Sequence, residues 1–239
     1  MEETKSMNMR PNTYELVGVG LYTVDDAARL LKAPARTIRR WMAGYGYTHE
    51  GERRQVPPLW RPDIGLIEDQ LELSFRDLIE LRFVRAFVGM GLDLRTVKGC
   101  MELARDYVES DRPFSSGRFR TDGKTIFLES LDRLDEPAVI DLRKKQYVFK
   151  TVVEQTFRDL DVDQDIVRRW RPFGGKDSIV VDPERSFGQP IAARFGVPTL
   201  VLAEAVQAEG SVSRVAALYE VDQAVVRDAV RFHEGLAAA

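Results

Sequence analysis

The apolar residues at the start of this chain recur with the spacing of short amphipathic helices. Val24, Ala27, Ala28 and Leu31 fall on one helical face. Thr23 and Asp26 stand three apart, as a capping box requires at the start of such a helix. Lys32-Ala33-Pro34-Ala35 then interrupts the pattern, because proline is tolerated at a helix start but not inside one. A second helix is expected from near Pro34 to about Ala43, before Gly44. Ile38 and Trp41 or Met42 can face the first helix, which leaves Arg36, Thr37, Arg39 and Arg40 on or near the outer side. This is a helix-turn-helix pattern.

Farther along, Tyr45-Gly46-Tyr47 and Glu50-Gly51-Glu52-Arg53-Arg54 read as a turn and a hairpin tip, with Arg53 and Arg54 at the tip and Trp60 as a core residue behind it. Ser74 to Asp77 is another capping box, followed by a helix apolar on more than one side and ended by Gly89-Met90-Gly91. Leu94, Val97, Met101, Ala104 and Val108 set the stripe of a further helix, on which Cys100 is a small core residue. Residues 118 to 129 alternate around Asp122-Gly123, which predicts a β-hairpin. From Asp141 to Leu160 a helix or a strand-to-helix connection is expected, with Tyr147, Val148, Val152, Val153 and Phe157 on its apolar side. Asp159, Asp161, Asp163 and Asp165 alternate as in a calcium loop. The glycine and terminal glutamate of such a loop are missing, so a solvated acidic loop is expected. In the tail, helices are expected from Pro198-Thr199 through Val206, after Gly210-Ser211, and from Asp222 to near His233.

Charge changes the picture in two places. The chain has 35 basic and 38 acidic residues, yet Arg29 to Pro62 holds eight basic against two acidic ones. A basic footprint on an acidic chain suits counterion release at a duplex. It also fits a merely solvated arginine-rich face. With that footprint, Arg36, Thr37, Arg39, Arg40, Arg53, Arg54 and Tyr45 become the candidate DNA contacts, to phosphates or base edges. Between Glu204 and Glu234 six acidic residues face three basic ones, a surface suited to protein rather than DNA.

The stretches YTVDDAARLLKAPARTIRRWM and SFRDLIELRFVRAFVGMGLDL, with the basic wing between them, resemble the DNA-binding domain of MerR-type regulators over roughly residues 21 to 105. The sequence departs from that family in having Lys32 at the turn glycine and no long dimerising coiled coil. The lysine would cost about 1 kcal/mol if its backbone is left-handed. VVDPERSFGQPIAARFGVPTLVLAEAV and GSVSRVAALYEVDQAVVRDAV resemble a small helical antitoxin domain of uncharacterised function that is paired with PIN-type toxins. Here Arg194-Phe195-Gly196 stands where that domain has glycine first and arginine after. Together the two halves resemble a VapB-type antitoxin of the mycobacterial kind. That resemblance implies a protein that represses its own operon through the front domain and inhibits a PIN-type RNase toxin through another part.

For the contact with such a nuclease the candidates are Arg168, Arg169, Trp170, Arg171 and Phe173, read as a basic-aromatic linker before Gly174-Gly175. A second phosphate contact or interdomain packing would use the same residues. Catalysis has little to work with, because two histidines, His49 and His233, and the lone pair Gly18 and Gly20 assemble no catalytic motif. One cysteine, no metal-ligand cluster and no apolar leader predict a cytoplasmic protein without metal or cofactor.

The expected fold is mainly α. It comprises a disordered lead (1–20), a MerR-like winged helix-turn-helix (21–110), a small α/β middle segment with hairpin, helix and linker (111–175) and a C-terminal three-helix HTH-like domain (176–239). The expected function is that of an antitoxin, acting as a DNA-binding dimer. The alternative is a stand-alone MerR-like regulator that binds an effector in its C-terminal half.

Overall fold

The computed structural model of the chain describes residues 18–133 and 142–237. The expected lead falls largely outside them, as do Pro137 and Asp141 and the side chains of Tyr147 and Val148. The described residues form a mainly helical protein with small antiparallel sheets. Strand β1 (Tyr22–Thr23) leads into α1 (Val24–Leu31), where Thr23 Oγ1 accepts from the Asp26 N–H and the Asp26 carboxylate accepts from the Thr23 N–H at 3.1 Å. Lys32 is left-handed (φ 51°, ψ 49°), and its N–H bonds back to Ala28 and Arg29. Helix α2 (Ala35–Ala43) follows Pro34 and buries Ile38 and Met42.

Strands β2 (Tyr45–His49) and β3 (Glu52–Val56) form a two-stranded hairpin. β4 (Gly65–Ile67) and β5 (Gln70–Leu73) make a second, which pairs through β5 with β1. Helix α3 (Phe75–Gly89) is buried on most sides, and α4 (Leu94–Val108) runs after it.

The segment 118–129 is helical, which corrects the expected hairpin. It lies in α5 (Gly117–Arg133), which packs against α4 and against α6 (Leu142–Phe157). Phe119, Gly123, Ile126 and Phe127 are spaced as one helical face, and the three apolar side chains are buried. Gly123 makes no turn. A Cβ there would lie in ordinary contact, 3.4 Å from both Phe119 and Phe149, so the position faces two aromatic rings in the core. Phe83, Phe87, Phe114, Phe119, Phe149 and Phe157 stack and tilt against one another at centroid distances between 4.8 and 6.3 Å. Each buried ring is worth about 1.5–3 kcal/mol, and that packing overrides the local turn signal.

The acidic run is solvated at Asp163 and Asp165, as expected, but it forms a β-hairpin rather than a loop, and Asp159 turns inward. β6 (Leu160–Asp163) and β7 (Ile166–Trp170) enclose a turn at Gln164 and Asp165, both at positive φ. Asp159 is enclosed, paired with Arg82 and accepting from the Trp170 indole N–H at 3.1 Å. β7 pairs with β8 (Ile179–Val181) through Trp170 and Val181, and β8 with β9 (Pro190–Ala192), so one four-stranded sheet runs across residue 175. Helices α7 (Thr199–Glu209), α8 (Val212–Leu218) and α9 (Gln223–Ala237) pack around Leu202, Val215, Val226 and Ala229.

The segment at Leu21–Tyr22 locks onto the one at Phe187–Gly188. The Tyr22 hydroxyl donates to Gly188 O at 2.8 Å and the Leu21 N–H to Phe187 O at 3.0 Å. A Cβ on Gly188 would lie 2.1 Å from the Tyr22 hydroxyl, so only glycine fits there. Helix α9 touches α1 nearby.

Candidate nucleic-acid interface

The buried Ile38 and Met42 fix the roll of α2, and that roll turns Arg36, Arg39 and Arg40 outward, with Thr37 half-buried between them. Gly44, at φ 71°, then carries the chain directly from α2 into β2. A Cβ there would sit 2.5 Å from Val56 O. The Leu59 N–H bonds Trp41 O at 2.8 Å, so the hairpin is fastened to the helix at both its ends.

Within the hairpin, Tyr45 faces Val56, Tyr47 faces Arg54 and Thr48 faces Arg53. The tip is Glu50-Gly51, both at positive φ, with the His49 ring 3.9 Å from Glu50. This corrects the placement of Arg53 and Arg54, which lie on β3 and not at the tip. As neighbours on a strand they point to opposite faces, Arg54 to that of Tyr45 and Tyr47. Arg36, Arg39, Arg40, Arg53 and Arg54 are all exposed, and among the described residues none has an acidic partner. The Arg40 guanidinium instead lies over the Tyr45 ring, 3.8 Å from its centroid.

Behind this surface lies a polar cluster that the spacing of residues did not announce. Arg112, 4% exposed, reaches Asp77 through Nε at 3.1 Å, Asp63 through Nη2 at 2.5 Å and the carbonyl of Arg61 at 2.8 Å. Asp77 also accepts from the Trp60 indole at 2.7 Å and caps α3 through Ser74. The segment that leaves the hairpin is thereby bolted to α3. One turn on, Glu80 is wholly buried and accepts from the Ser115 N–H at 2.7 Å, while its second oxygen has no partner among the described residues. Burial pushes its carboxyl up to about 7, against the lowering effect of the Ser115 hydrogen bonds and of Arg112.

The segment from Arg168 to Phe173 is not a linker. It continues strand β7, whose inward residues Val167 and Trp170 join the core. Trp170 is 4% exposed, with the Arg82 guanidinium 5.1 Å from its ring centroid. Arg169 pairs with Asp182 at 2.8 Å, and Arg171 with Asp161 and Asp177 at 2.7 and 2.8 Å. Phe173 is half-buried against Phe232. Arg168 alone of the five is exposed with no ion pair among the described residues. Among the described residues no cluster is placed to hold a metal ion, and no helix is long and apolar enough to cross a membrane.

No protein-family model matches the sequence. A protein of Mycobacterium tuberculosis named "Putative antitoxin VapB45" is 27% identical over 229 residues, which span 89% of this chain and 93% of that protein. The chain is similar to a VapB-type antitoxin. The crystal structure of Rv2018 from M. tuberculosis matches with a TM-score of 0.66 at 22% identity, over 90% of this chain and 98% of that one. A likeness of that degree shows a shared fold across nearly the whole length.

Proposed function

We propose that this chain is the antitoxin of a type II toxin-antitoxin pair, which binds and neutralises a PIN-type ribonuclease and represses its own operon. The reading is carried by the sequence likeness to an antitoxin of the VapB kind along nearly the whole chain. A regulatory rather than catalytic role fits that likeness. For repression, α1, the three-residue turn and α2 act as the helix-turn-helix and β2–β3 as its wing, in the manner of MerR-type regulators. Arg36, Arg39, Arg40, Arg53 and Arg54, exposed and without an acidic partner among the described residues, then meet a duplex. The protein acts in the cytoplasm as a homodimer on a palindromic operator, because a two-fold dimer reads two matching half-sites. In the segment 168–173, Arg168 is the side chain left open to the toxin; the other four are engaged within the fold.

Co-expression with the nuclease encoded beside its gene tests the reading. Co-purification in fixed stoichiometry after a high-salt, nuclease-treated wash, with loss of RNase activity in the complex, is the expected result. Recovery of the chain alone with the RNase fully active would refute it.

One observation favours a second reading, a stand-alone regulator with an effector. A cavity of about 310 Å³ lies between α1 and the C-terminal helices, lined by Arg29, Leu30, Thr199, Leu200, His233 and Leu236. His233, 2.9 Å from the Thr199 hydroxyl, is held below its ordinary pKa, first by burial and then by Arg29, so it meets any effector as a neutral ring. On that reading, a metabolite that releases the protein from its promoter would bind in this cavity.

A further inference from the structure

Arg40 differs from the other arginines of the helix-hairpin unit. Its guanidinium carbon sits 3.8 Å from the centroid of the Tyr45 ring, which places the cation over the ring face. A carboxylate partner would take up N–H donors of the fork. A ring takes up only the π face and leaves the five in-plane donors unspent. The backbone enforces this arrangement. Gly44 turns α2 straight into β2, and no residue with a Cβ fits against Val56 O at that point, so residue 45 returns over residue 40. Tyr47 stands beside Tyr45 at a centroid distance of 6.2 Å, with Arg54 opposite Tyr47 on the same face of the hairpin.

The geometry points to Tyr45 as a positioning residue that holds the Arg40 guanidinium plane for bidentate recognition of a guanine edge. Arg40 is then the base-reading arginine, and Arg36, Arg39, Arg53 and Arg54 are phosphate contacts. The assignment rests on the DNA-binding reading given above. Its physical basis is entropic and geometric. A free arginine loses about 2 kcal/mol of rotamer entropy when immobilised, and one already splinted on a ring loses less on meeting a base. Guanine recognition also needs the plane of the fork fixed, whereas a phosphate accepts a charge from many directions.

The test is a fluorescence-anisotropy titration of the full chain against duplexes tiling the promoter of its own gene and against a scrambled duplex of equal composition. Tyr45→Phe keeps the ring, and Tyr45→Leu removes it. Tyr45→Phe should bind both duplexes within about two-fold of the wild type. Tyr45→Leu should lose about ten-fold on the promoter and less than about two-fold on the scrambled duplex. In an Arg40→Ala background, Tyr45→Leu should add nothing. Equal losses on both duplexes, a Tyr45→Phe loss as large as that of Tyr45→Leu, or full additivity with Arg40→Ala would each overturn the assignment. A wild-type chain that binds neither duplex refutes the DNA-binding reading and the assignment with it. A wild-type chain that prefers its promoter while Tyr45→Leu is indifferent refutes the assignment alone. Tyr45 is half-buried at the surface, so both variants should keep the fold, and a thermal melt of each checks this.

Discussion

The same side chain serves two opposite purposes in the front half of this protein. Arg112 is buried, and Asp77, Asp63 and the carbonyl of Arg61 surround it. Arg36, Arg39, Arg40, Arg53 and Arg54, on the neighbouring helix and hairpin, have no acidic partner among the described residues. A buried charge is tolerated only where its hydrogen bonds are satisfied within the fold. An exposed arginine loses nothing by waiting for a partner from outside. One set of arginines therefore builds the frame and the other is presented by it.

The sharpest way to break this comparison is to remove the frame. Arg112→Ala leaves Asp77 buried without its cation, and a broken buried pair costs about 3–5 kcal/mol. Chemical denaturation should show a loss of that size. A loss under about 1 kcal/mol would mean that the cluster does not hold the hairpin. Glu80→Gln probes the same buried region through pH. Folded Glu80 titrates near 7 and unfolded glutamate near 4.5, so in that window the folded chain holds the extra proton and stability falls as pH rises. Stability curves between pH 5 and pH 8 should show the variant ahead of the wild type by on the order of 2 kcal/mol at pH 8, with the gain fading toward pH 5. Parallel curves would place the titrating group elsewhere.

On the open surface the effects move from stability to binding. Arg39→Ala should melt within about 0.5 kcal/mol of the wild type. It should weaken promoter and scrambled duplexes alike and lower the salt slope by about 1. A loss confined to the promoter would transfer base reading from Arg40 to Arg39. The smallest effect belongs to Lys32→Gly, which relieves a left-handed lysine and should add up to about 1 kcal/mol in a thermal melt. A destabilised variant would show that the lysine side chain contributes more than its backbone costs.

What could be read in the sequence follows from how local each signal is. The helix pair is legible because its capping box, apolar stripe and proline lie within twenty residues and act on one another directly. Its outward arginines are legible by subtraction, once Ile38 and Met42 face inward. At residues 118–129 the apolar spacing fits two periods, and the partner that decides between them, Phe149, lies on another helix. The hairpin turn falls at Glu50-Gly51 rather than at the arginines, because the positive-φ pair sets the register. Trp170 combines aromatic bulk with basic neighbours, which reads equally as an exposed anchor or as core beside ion pairs. Only the distant Arg82 and Asp159 resolve it. The Arg112 cluster joins residues 35 and 49 positions apart, a distance at which a sequence pattern is silent.

The central claim is that Arg36, Arg39, Arg53 and Arg54, exposed and without an acidic partner among the described residues, await a phosphate backbone. Its most direct test is the salt dependence of binding to the promoter duplex, compared between the wild type and a chain with Arg36, Arg39, Arg53 and Arg54 all changed to alanine. If they neutralise phosphates, the logarithm of the wild-type binding constant falls linearly with the logarithm of salt concentration. The fourfold variant loses about 0.9 from that slope for each arginine removed. Identical slopes for the two chains, or wild-type binding indifferent to salt, would contradict the claim.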